Sequence, residues 1–293
     1  MLGSGIASAS SKDIFAAMIE TRTVTDDQLS RFATLIYDRT GIRISPQKKT
    51  LISNRLNRRL KATGLTCFDD YFRKLNSLRQ DDAEWHAFLQ EITTHETYLF
   101  RDTSQWDWFA KTYLSEVQQA ARKGERKKTL RVWSAASSTG DEAYTIASCI
   151  AGVISNLDEW RIEILGTDIG VGAIQQAKEA TFSERAMRRV PESYQRRFFT
   201  KVGDCSWQAK SQLQNWTQFR RHNLMEPLRV PAFDLIFVKN VFIYFDRDAK
   251  QKALNNIDQV LVPGGLLVTG PAEGAAELLR HYERLQPWLH QKQ

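Results

Sequence analysis

Hydrophobic positions along this chain change their period near residue 90. Before that point they recur at helical spacing: Leu29, Phe32, Ala33 and Ile36 share one face, Leu51, Ile52, Leu56 and Leu60 a second, and Phe68, Tyr71, Phe72 and Leu75 a third. Asp26 or Asp27 is placed to cap the first helix and Thr40-Gly41 to end it, while Pro46 precedes the second helix and Gly64 stops it. Residues 1–90 are therefore expected to form an all-helical domain. From residue 91 onward, apolar runs of strand length alternate with helical stretches. A helix is expected around Trp106 to Ala121, followed by a strand opening at Leu130, a helix from Glu142 to Ile154, a strand from Ile162 to Thr167 and a helix from Val171 to Ala180. A strand near Phe219 and a buried strand from Phe233 to Lys239 come next. The helix Arg247 to Val260 then ends in Val262-Pro-Gly-Gly265, and Leu266 to Thr269 forms a further strand. Four or five apolar strands separated by helices predict a doubly wound, Rossmann-like α/β sheet. Between Phe182 and Phe219 the alternation lapses into a basic and aromatic insertion, read as a small subdomain.

The stretch that organises the second half is Leu130-Arg-Val-Trp-Ser-Ala-Ala-Ser-Ser-Thr-Gly-Asp-Glu-Ala-Tyr144, which reads as strand, loop and helix. Ala135 to Gly140 carries only small side chains, so a ligand can approach the backbone, and the N–H groups opening the next helix can face a polar group. No Gly-Lys-Ser/Thr follows, and the three glycines of a dinucleotide fingerprint are missing. A nucleoside without phosphates fits better than a nucleotide, against the plainer reading of an ordinary βα turn. Asp168 ends the next strand. There its carboxylate can accept hydrogen bonds from ribose hydroxyls, or it can cap the helix that follows.

Composition changes this picture in three ways. With 42% hydrophobic residues over 293 positions, the chain has ample material for a core. Cys67, Cys149 and Cys205 are far apart and form no Cys-x-x-Cys pair, so neither a disulfide framework nor a zinc site is suggested and a reducing, cytoplasmic setting is expected. No apolar run approaches bilayer-spanning length, and Met1 to Ser11 lacks the charged and apolar regions of a signal peptide. The net charge of +7 favours an acidic partner. That charge is concentrated in Lys48 to Lys61, where Lys48, Lys49, Arg55, Arg58, Arg59 and Lys61 occur with no acid. Such a helix is either a docking surface for an acidic partner or a solvated face.

Four collinear blocks carry a resemblance that composition does not: RLNRRLKATGLTCFDDYFRKL, ITTHETYLFR, RVWSAASSTGDEAYTIA, and FDLIFVKNVFIYFDRDAKQKAL with LVPGGLL. TDIGVGAIQQAKEATFSERAMRRVP adds a fifth. The chain resembles the CheR family of chemotaxis-receptor protein-glutamate O-methyltransferases along nearly its whole length. The resemblance implies S-adenosylmethionine as cofactor, S-adenosylhomocysteine as product, a methyltransferase domain over residues 91–293 with a small β-subdomain inserted at about 182–219, and receptor docking by the domain over residues 1–90.

That cofactor needs a carboxylate for its ribose and an acid for its ammonium. Asp168 fits the first, and Glu142, or less readily its neighbour Asp141, fits the second. The resemblance further implies that Asn223 and Leu224 meet the adenine, that Thr97 and Arg101 close over the amino-acid tail, and that Asn240 and Tyr244 line the methyl-transfer site. Arg101 and Tyr244 are the candidates for orienting the acceptor, against the plainer readings of an ion-pair partner and a core aromatic. His95 stands where the family usually has asparagine, Lys239 where it has arginine, and Pro271-Ala272-Glu273 in place of Gly-His-Ser-Glu. Lysine loses the planar fork of arginine, so bidentate contact from position 239 is in question.

The resemblance implies the cytoplasmic helices of chemoreceptors as partner, met by the basic helix Lys48 to Lys61 and by the β-subdomain. It also implies a monomer, with no nucleic-acid partner and no membrane insertion. The stretch FFTKVGDCSWQAKSQLQN holds one glycine, Gly203, and looks shortened, so a receptor tail peptide is not expected to be needed. Two other classes stand beside this reading. A nucleic-acid methyltransferase needs acceptors for a base amino group, typically in a proline-containing stretch, and Asn240-Val-Phe-Ile-Tyr244 has no proline. A non-catalytic cofactor-binding signalling module needs broken site residues, and most are intact.

Overall fold

The computed structural model describes residues 22–79 and 81–293, so the reading of Met1 to Ser11 lies outside the described residues. Two compact units result, one formed by residues 22–39 and 43–94 and the other by residues 40–42 and 95–293. Among the described residues no helix is long and apolar enough to cross a membrane.

In the first unit, α1 (Asp26–Thr40) is opened by Thr25 and not by Asp26 or Asp27. Thr25 Oγ1 accepts the Gln28 N–H at 3.1 Å while Gln28 Oε1 accepts the Thr25 N–H at 3.0 Å. This reciprocal capping box satisfies two otherwise orphaned donors, and the two aspartates add favourable charge in the first turn. Leu29, Phe32, Leu35 and Ile36 are buried, with Leu35 taking the place expected for Ala33. A short 3-10 turn at Pro46–Lys48 leads into α2 (Lys49–Thr63), which ends at Gly64 in the left-handed region, φ 70°, with its N–H returned to the Leu60 carbonyl. Leu51, expected inside, is 43% exposed, because Ile52, Leu56 and Leu60 carry the buried stripe. Helices α3 (Phe68–Ser77) and α4 (Ala83–Ile92) complete an aromatic core of Phe32, Tyr71, Trp85 and Phe88, with Phe72 edge-on to Phe32 at 5.3 Å.

The basic helix is less cationic than its sequence suggests. Arg59 forks onto Glu84 at 3.1 and 2.6 Å, and the same carboxylate accepts the Tyr71 hydroxyl at 2.7 Å. Arg58 pairs with Glu91 at 2.7 Å and Lys49 with Asp26 at 2.8 Å. Arg55 donates to the Ile92 carbonyl and to Thr94 Oγ1.

The second unit begins its helical part with α5 (Thr103–Trp108), a π-helical turn (Phe109–Tyr113) and α6 (Leu114–Arg122) in unbroken succession. The large sheet then accumulates in the expected βα rhythm: β1 (Thr129–Ala135), α7 (Asp141–Val153), β2 (Arg161–Asp168) and α8 (Val171–Glu179). A separate antiparallel sheet follows, built from β3 (Thr181–Ser183), β4 (Phe199–Gly203) and β5 (Ser206–Ala209) in the order β3-β5-β4, with α9 (Glu184–Met187) and α10 (Glu192–Phe198) between its first two strands. This insertion ends before the expected Phe219. After α11 (Ser211–Trp216), β6 (Thr217–Arg221) returns to the large sheet, where Phe219 pairs with Gly166.

Strand β7 (Phe233–Val238), α12 (Arg247–Asp258) and β8 (Leu261–Thr269) complete the parallel part. Val262-Pro-Gly-Gly265, expected to lie outside the strand, runs inside β8 as a shift in its register with β7. The hairpin β9 (Tyr282–Gln286) and β10 (Leu289–Lys292) was not signalled by the apolar pattern, because Tyr282 and Leu285 do not alternate along β9 and the residues between them are charged. The sheet order is β6-β2-β1-β7-β8-β10-β9, with five parallel strands and an antiparallel edge. Its reversal point lies between β1 and β7, where open α/β sheets bind ligands.

Close packing at that end of the sheet demands a bare backbone at Gly166. A Cβ there would lie 2.5 Å from two ring carbons of Phe219 and 3.0 Å from Ser137 Oγ. Gly166→Ala should therefore destabilise the fold by about 1–3 kcal/mol in urea denaturation, and adding Phe219→Leu, which makes room, should recover part of the loss.

Candidate functional site

Three residues of the loop after β1 adopt left-handed backbone conformations: Ala136 (φ 59°), Ser138 (φ 51°) and Gly140 (φ 88°). Two of them are not glycine, so the strain must be offset locally. The offset comes from the end of β2. Ser137 donates its N–H to the Thr167 carbonyl at 2.7 Å, and Ser138 donates its N–H to Asp168 Oδ2 at 2.9 Å. Asp168 Oδ1 accepts the Gly170 N–H at 2.8 Å, which closes an Asx-type turn; the N-cap of α8 is Gly170, so Asp168 is not the helix cap. His95 joins this group, with its Nδ1 3.7 Å from Asp168 Oδ1 and its carbonyl accepting the Ser138 hydroxyl at 3.0 Å. The His222 N–H reaches the Asp168 carbonyl at 2.9 Å and so sets Asn223 and Leu224, both buried, beside the end of β2. Asn223 Oδ1 accepts the Met225 N–H at 3.1 Å. Burial holds the His222 imidazole neutral by lowering its pKa to about 4.

A second group gathers around Lys239, whose side chain is 3% exposed at the end of β7. Its Nζ lies 3.1 Å from Asp102 Oδ2 and 3.7 Å from Glu142 Oε2, donates to the Arg101 carbonyl at 3.4 Å, and sits 5.0 Å from the Trp106 ring centroid. Glu142 Oε1 accepts the Ser134 hydroxyl at 2.8 Å. Burial raises the Glu142 pKa, while Lys239 and the Ser134 hydroxyl resist the rise. Lys239 thus acts as a compact buried counter-ion. Asp141 faces its own turn instead, where the Thr139 hydroxyl reaches Oδ2 at 2.6 Å.

The remaining sequence-predicted residues are less closely engaged. Arg101 turns back along its own segment, donating to the Glu96 carbonyl at 3.3 Å with its guanidinium 5.8 Å from the Tyr98 ring centroid, and Thr97 lies half-buried between His95 and Tyr98. Arg188, exposed in the inserted subdomain, lies over the same ring at 4.1 Å. Asn240 is left-handed at φ 58°, and Tyr244 closes the 3-10 turn Phe242–Tyr244 that follows it. Ser134, Ser138, Asp102 and Glu273 stand in the same surroundings but were given no role. The serines stand in the organising stretch as hydroxyls at a strand end and Glu273 was noted only as part of the departure Pro271-Ala272-Glu273, whereas nothing in the local sequence marks Asp102.

Residues 27–93 match the CheR methyltransferase all-alpha domain, and residues 95–287 match the CheR methyltransferase SAM binding domain. The chain belongs to the CheR methyltransferase family. It is 33% identical over 270 residues to a chemotaxis protein methyltransferase of Escherichia coli, covering 90% of each chain. It is 32% identical to that of Salmonella typhimurium, covering 92% of this chain and 91% of the relative, and 30% identical to that of Borreliella burgdorferi, covering 85% and 89%. As a CheR methyltransferase it takes S-adenosylmethionine as cofactor.

The buried acid that opens α7 gives the site a pH signature. Burial raises the Asp141 pKa to about 6, so its proton is held more tightly in the folded chain than in the unfolded one. This group therefore supports folding fully below its unfolded value and withdraws that support as pH rises through about 6. Asp141→Asn should flatten the fall in stability between pH about 4 and 7. Thermal unfolding of both proteins across that range checks it.

Proposed function

We propose that this chain transfers the methyl group of S-adenosylmethionine to glutamate side chains on the cytoplasmic helices of chemoreceptors, giving methyl esters. The carrying observation is the pair of acids at the C-terminal edge of the sheet, Asp168 at the end of β2 and Glu142 at the start of α7, in a chain of the CheR family. The donor set fits the cofactor. Asp168 is held by two N–H groups but keeps lone pairs for ribose hydroxyls, and Glu142 keeps capacity for an ammonium. Asn223 and Leu224 would meet the adenine, and His95, Thr97, Arg101, Lys239 and Asn240 would close the site around the amino-acid tail and methyl group.

When bound, the cofactor supplies an electrophilic methyl on a sulfonium. A glutamate carboxylate with an ordinary pKa of about 4.3 is already an anionic nucleophile near neutrality, so no general base is required of the protein. Its task is in-line placement and exclusion of water. Around the transfer position the chain offers cations and a phenol, Arg101, Lys239 and Tyr244, which suits an anionic acceptor better than a base amine. Lys239 is committed to Asp102 and Glu142, which leaves Arg101 and Tyr244 to orient the carboxylate. A tight bidentate clamp would lower its nucleophilicity, so Arg101 acts by positioning.

The acceptor helix is acidic, and its docking uses both the helix Lys48–Lys61 and the inserted subdomain. Much of the first charge is already paired, by Glu84, Glu91 and Asp26. Arg188 and Arg189 are exposed, and Arg188 reaches Arg101 through the shared Tyr98 ring. The protein works as a cytoplasmic monomer in this reading, and its short β4–β5 hairpin does not require a receptor tail peptide.

Two measurements test the assignment. Asp168→Ala should weaken S-adenosylhomocysteine binding by about 1.5–3 kcal/mol in titration calorimetry, roughly tenfold to a hundredfold, and unchanged affinity in a folded protein removes the ribose role. Tritiated methyl transfer to a receptor cytoplasmic fragment should yield base-labile label. Arg188→Glu with Arg189→Glu should raise the KM for that fragment, most strongly at low salt, with S-adenosylhomocysteine affinity retained. Base-stable label would point to an amine acceptor instead.

A further inference from the structure

Beyond Lys239 the chain reverses sharply. Asn240 takes the left-handed conformation at φ 58°, and the 3-10 turn Phe242–Tyr244 follows at once. A non-glycine residue in that region is strained, and a turn of this kind points successive N–H groups inward with no strand partner. One side chain answers them. Glu273, 2% exposed in the loop after β8, accepts the Asn240 N–H on Oε1, and the N–H groups of Phe242 and Ile243 face the same carboxylate. It arrives through a gap left by Gly270, where a Cβ would lie 2.5 Å from Glu273 Oε1 and 3.3 Å from the Asn240 nitrogen. Burial pushes the Glu273 pKa up, and these N–H groups, with Lys250 further off, oppose the rise. A buried acid is a costly way to fill space, so its compensation lies in the turn it holds.

We propose that Glu273 is a positioning residue for methyl transfer: its carboxylate and the side-chain-free Gly270 hold the Asn240–Tyr244 turn in the shape that presents Asn240 and Tyr244 to the acceptor. Glu273 is too deeply buried to meet an acceptor itself, so it acts through the turn. The inference rests on the reading of Asn240 and Tyr244 as lining the transfer site.

The test compares the full-length protein with Glu273→Gln, Gly270→Ala, Tyr244→Phe and the Glu273→Gln/Tyr244→Phe pair. Backbone amide exchange over residues 238–245, which needs no acceptor, should speed up in Glu273→Gln and Gly270→Ala while exchange in β1 and β2 stays the same. With a receptor fragment, Glu273→Gln should lower kcat by about tenfold or more, and lower S-adenosylhomocysteine affinity by far less, as misplacement of an orienting group does. The double variant should fall no further than Glu273→Gln alone to within about twofold, since removing a hydroxyl that is already misplaced costs little more. Unchanged exchange in the turn overturns the inference, as does a Glu273→Gln loss that multiplies with that of Tyr244→Phe. Absence of base-labile transfer by the unaltered protein, with exchange altered as expected, counts against the acceptor assignment and leaves the role of Glu273 in holding the turn supported.

Discussion

The site depends on holding two carboxylates, Asp168 and Glu142, in a nearly dry place. Water normally stabilises such groups, and here the backbone and a few side chains must replace it. Asp168 is served by the N–H groups of Ser138 and Gly170, which carry partial charge but no counter-ion. Glu142 is served by the Ser134 hydroxyl and by Lys239, whose own charge is shared with Asp102. The left-handed residues of the β1–α7 loop are the conformational cost of aiming N–H groups at Asp168, and Asp102, left-handed itself at φ 62°, is part of the cost of holding Lys239. Replacing arginine by lysine at position 239 fits this scheme, because a point charge can be shared between two acids without the directional demands of a fork.

What the sequence revealed follows from how each element is solvated. Strands buried on both faces, such as Phe233–Val238, read as nearly continuous apolar runs, interrupted here by Asp234 alone, so the parallel centre of the sheet was legible. Its edges were legible only in part: the strand expected near Phe219 is β6 (Thr217–Arg221), whereas Tyr282–Gln286 at the other margin resembles loop. The same holds for charge. Arg55, Arg58 and Arg59 stood in a run without acids, but Glu84 and Glu91 approach from another helix, a tertiary pairing that local pattern does not encode. Asp168 at the end of β2 and Glu142 in the first turn of α7 could be picked out from the strand and helix pattern beside them, whereas Asp102 and Glu273 act through contacts distant in the chain.

The helical unit solves its own buried-charge problem differently. Tyr71, Glu84 and Arg59 form a closed set in which the acid accepts from both partners. No lone pair needs to stay open there, so the network can be fully satisfied and serve only to orient three helices. The contrast is with Asp168 and Glu142, which under the proposed function would each receive a further donor.

The π-helical turn at Phe109–Tyr113 carries a consequence of a different kind. One residue more than an α-helical turn rotates everything beyond it by roughly 100° about the axis. Before the turn, Trp106 stacks on Phe237 at 5.2 Å, and Phe109, which opens the turn, meets the same ring edge-on at 5.7 Å. Beyond it, Leu114 and Val117 are buried on a stripe that an unbroken α-helix would have carried around to a different side. The two halves of this helix are therefore phased independently against the sheet, and loss of a single residue from the turn would regularise the spiral only by dragging one of the two stripes out of the core.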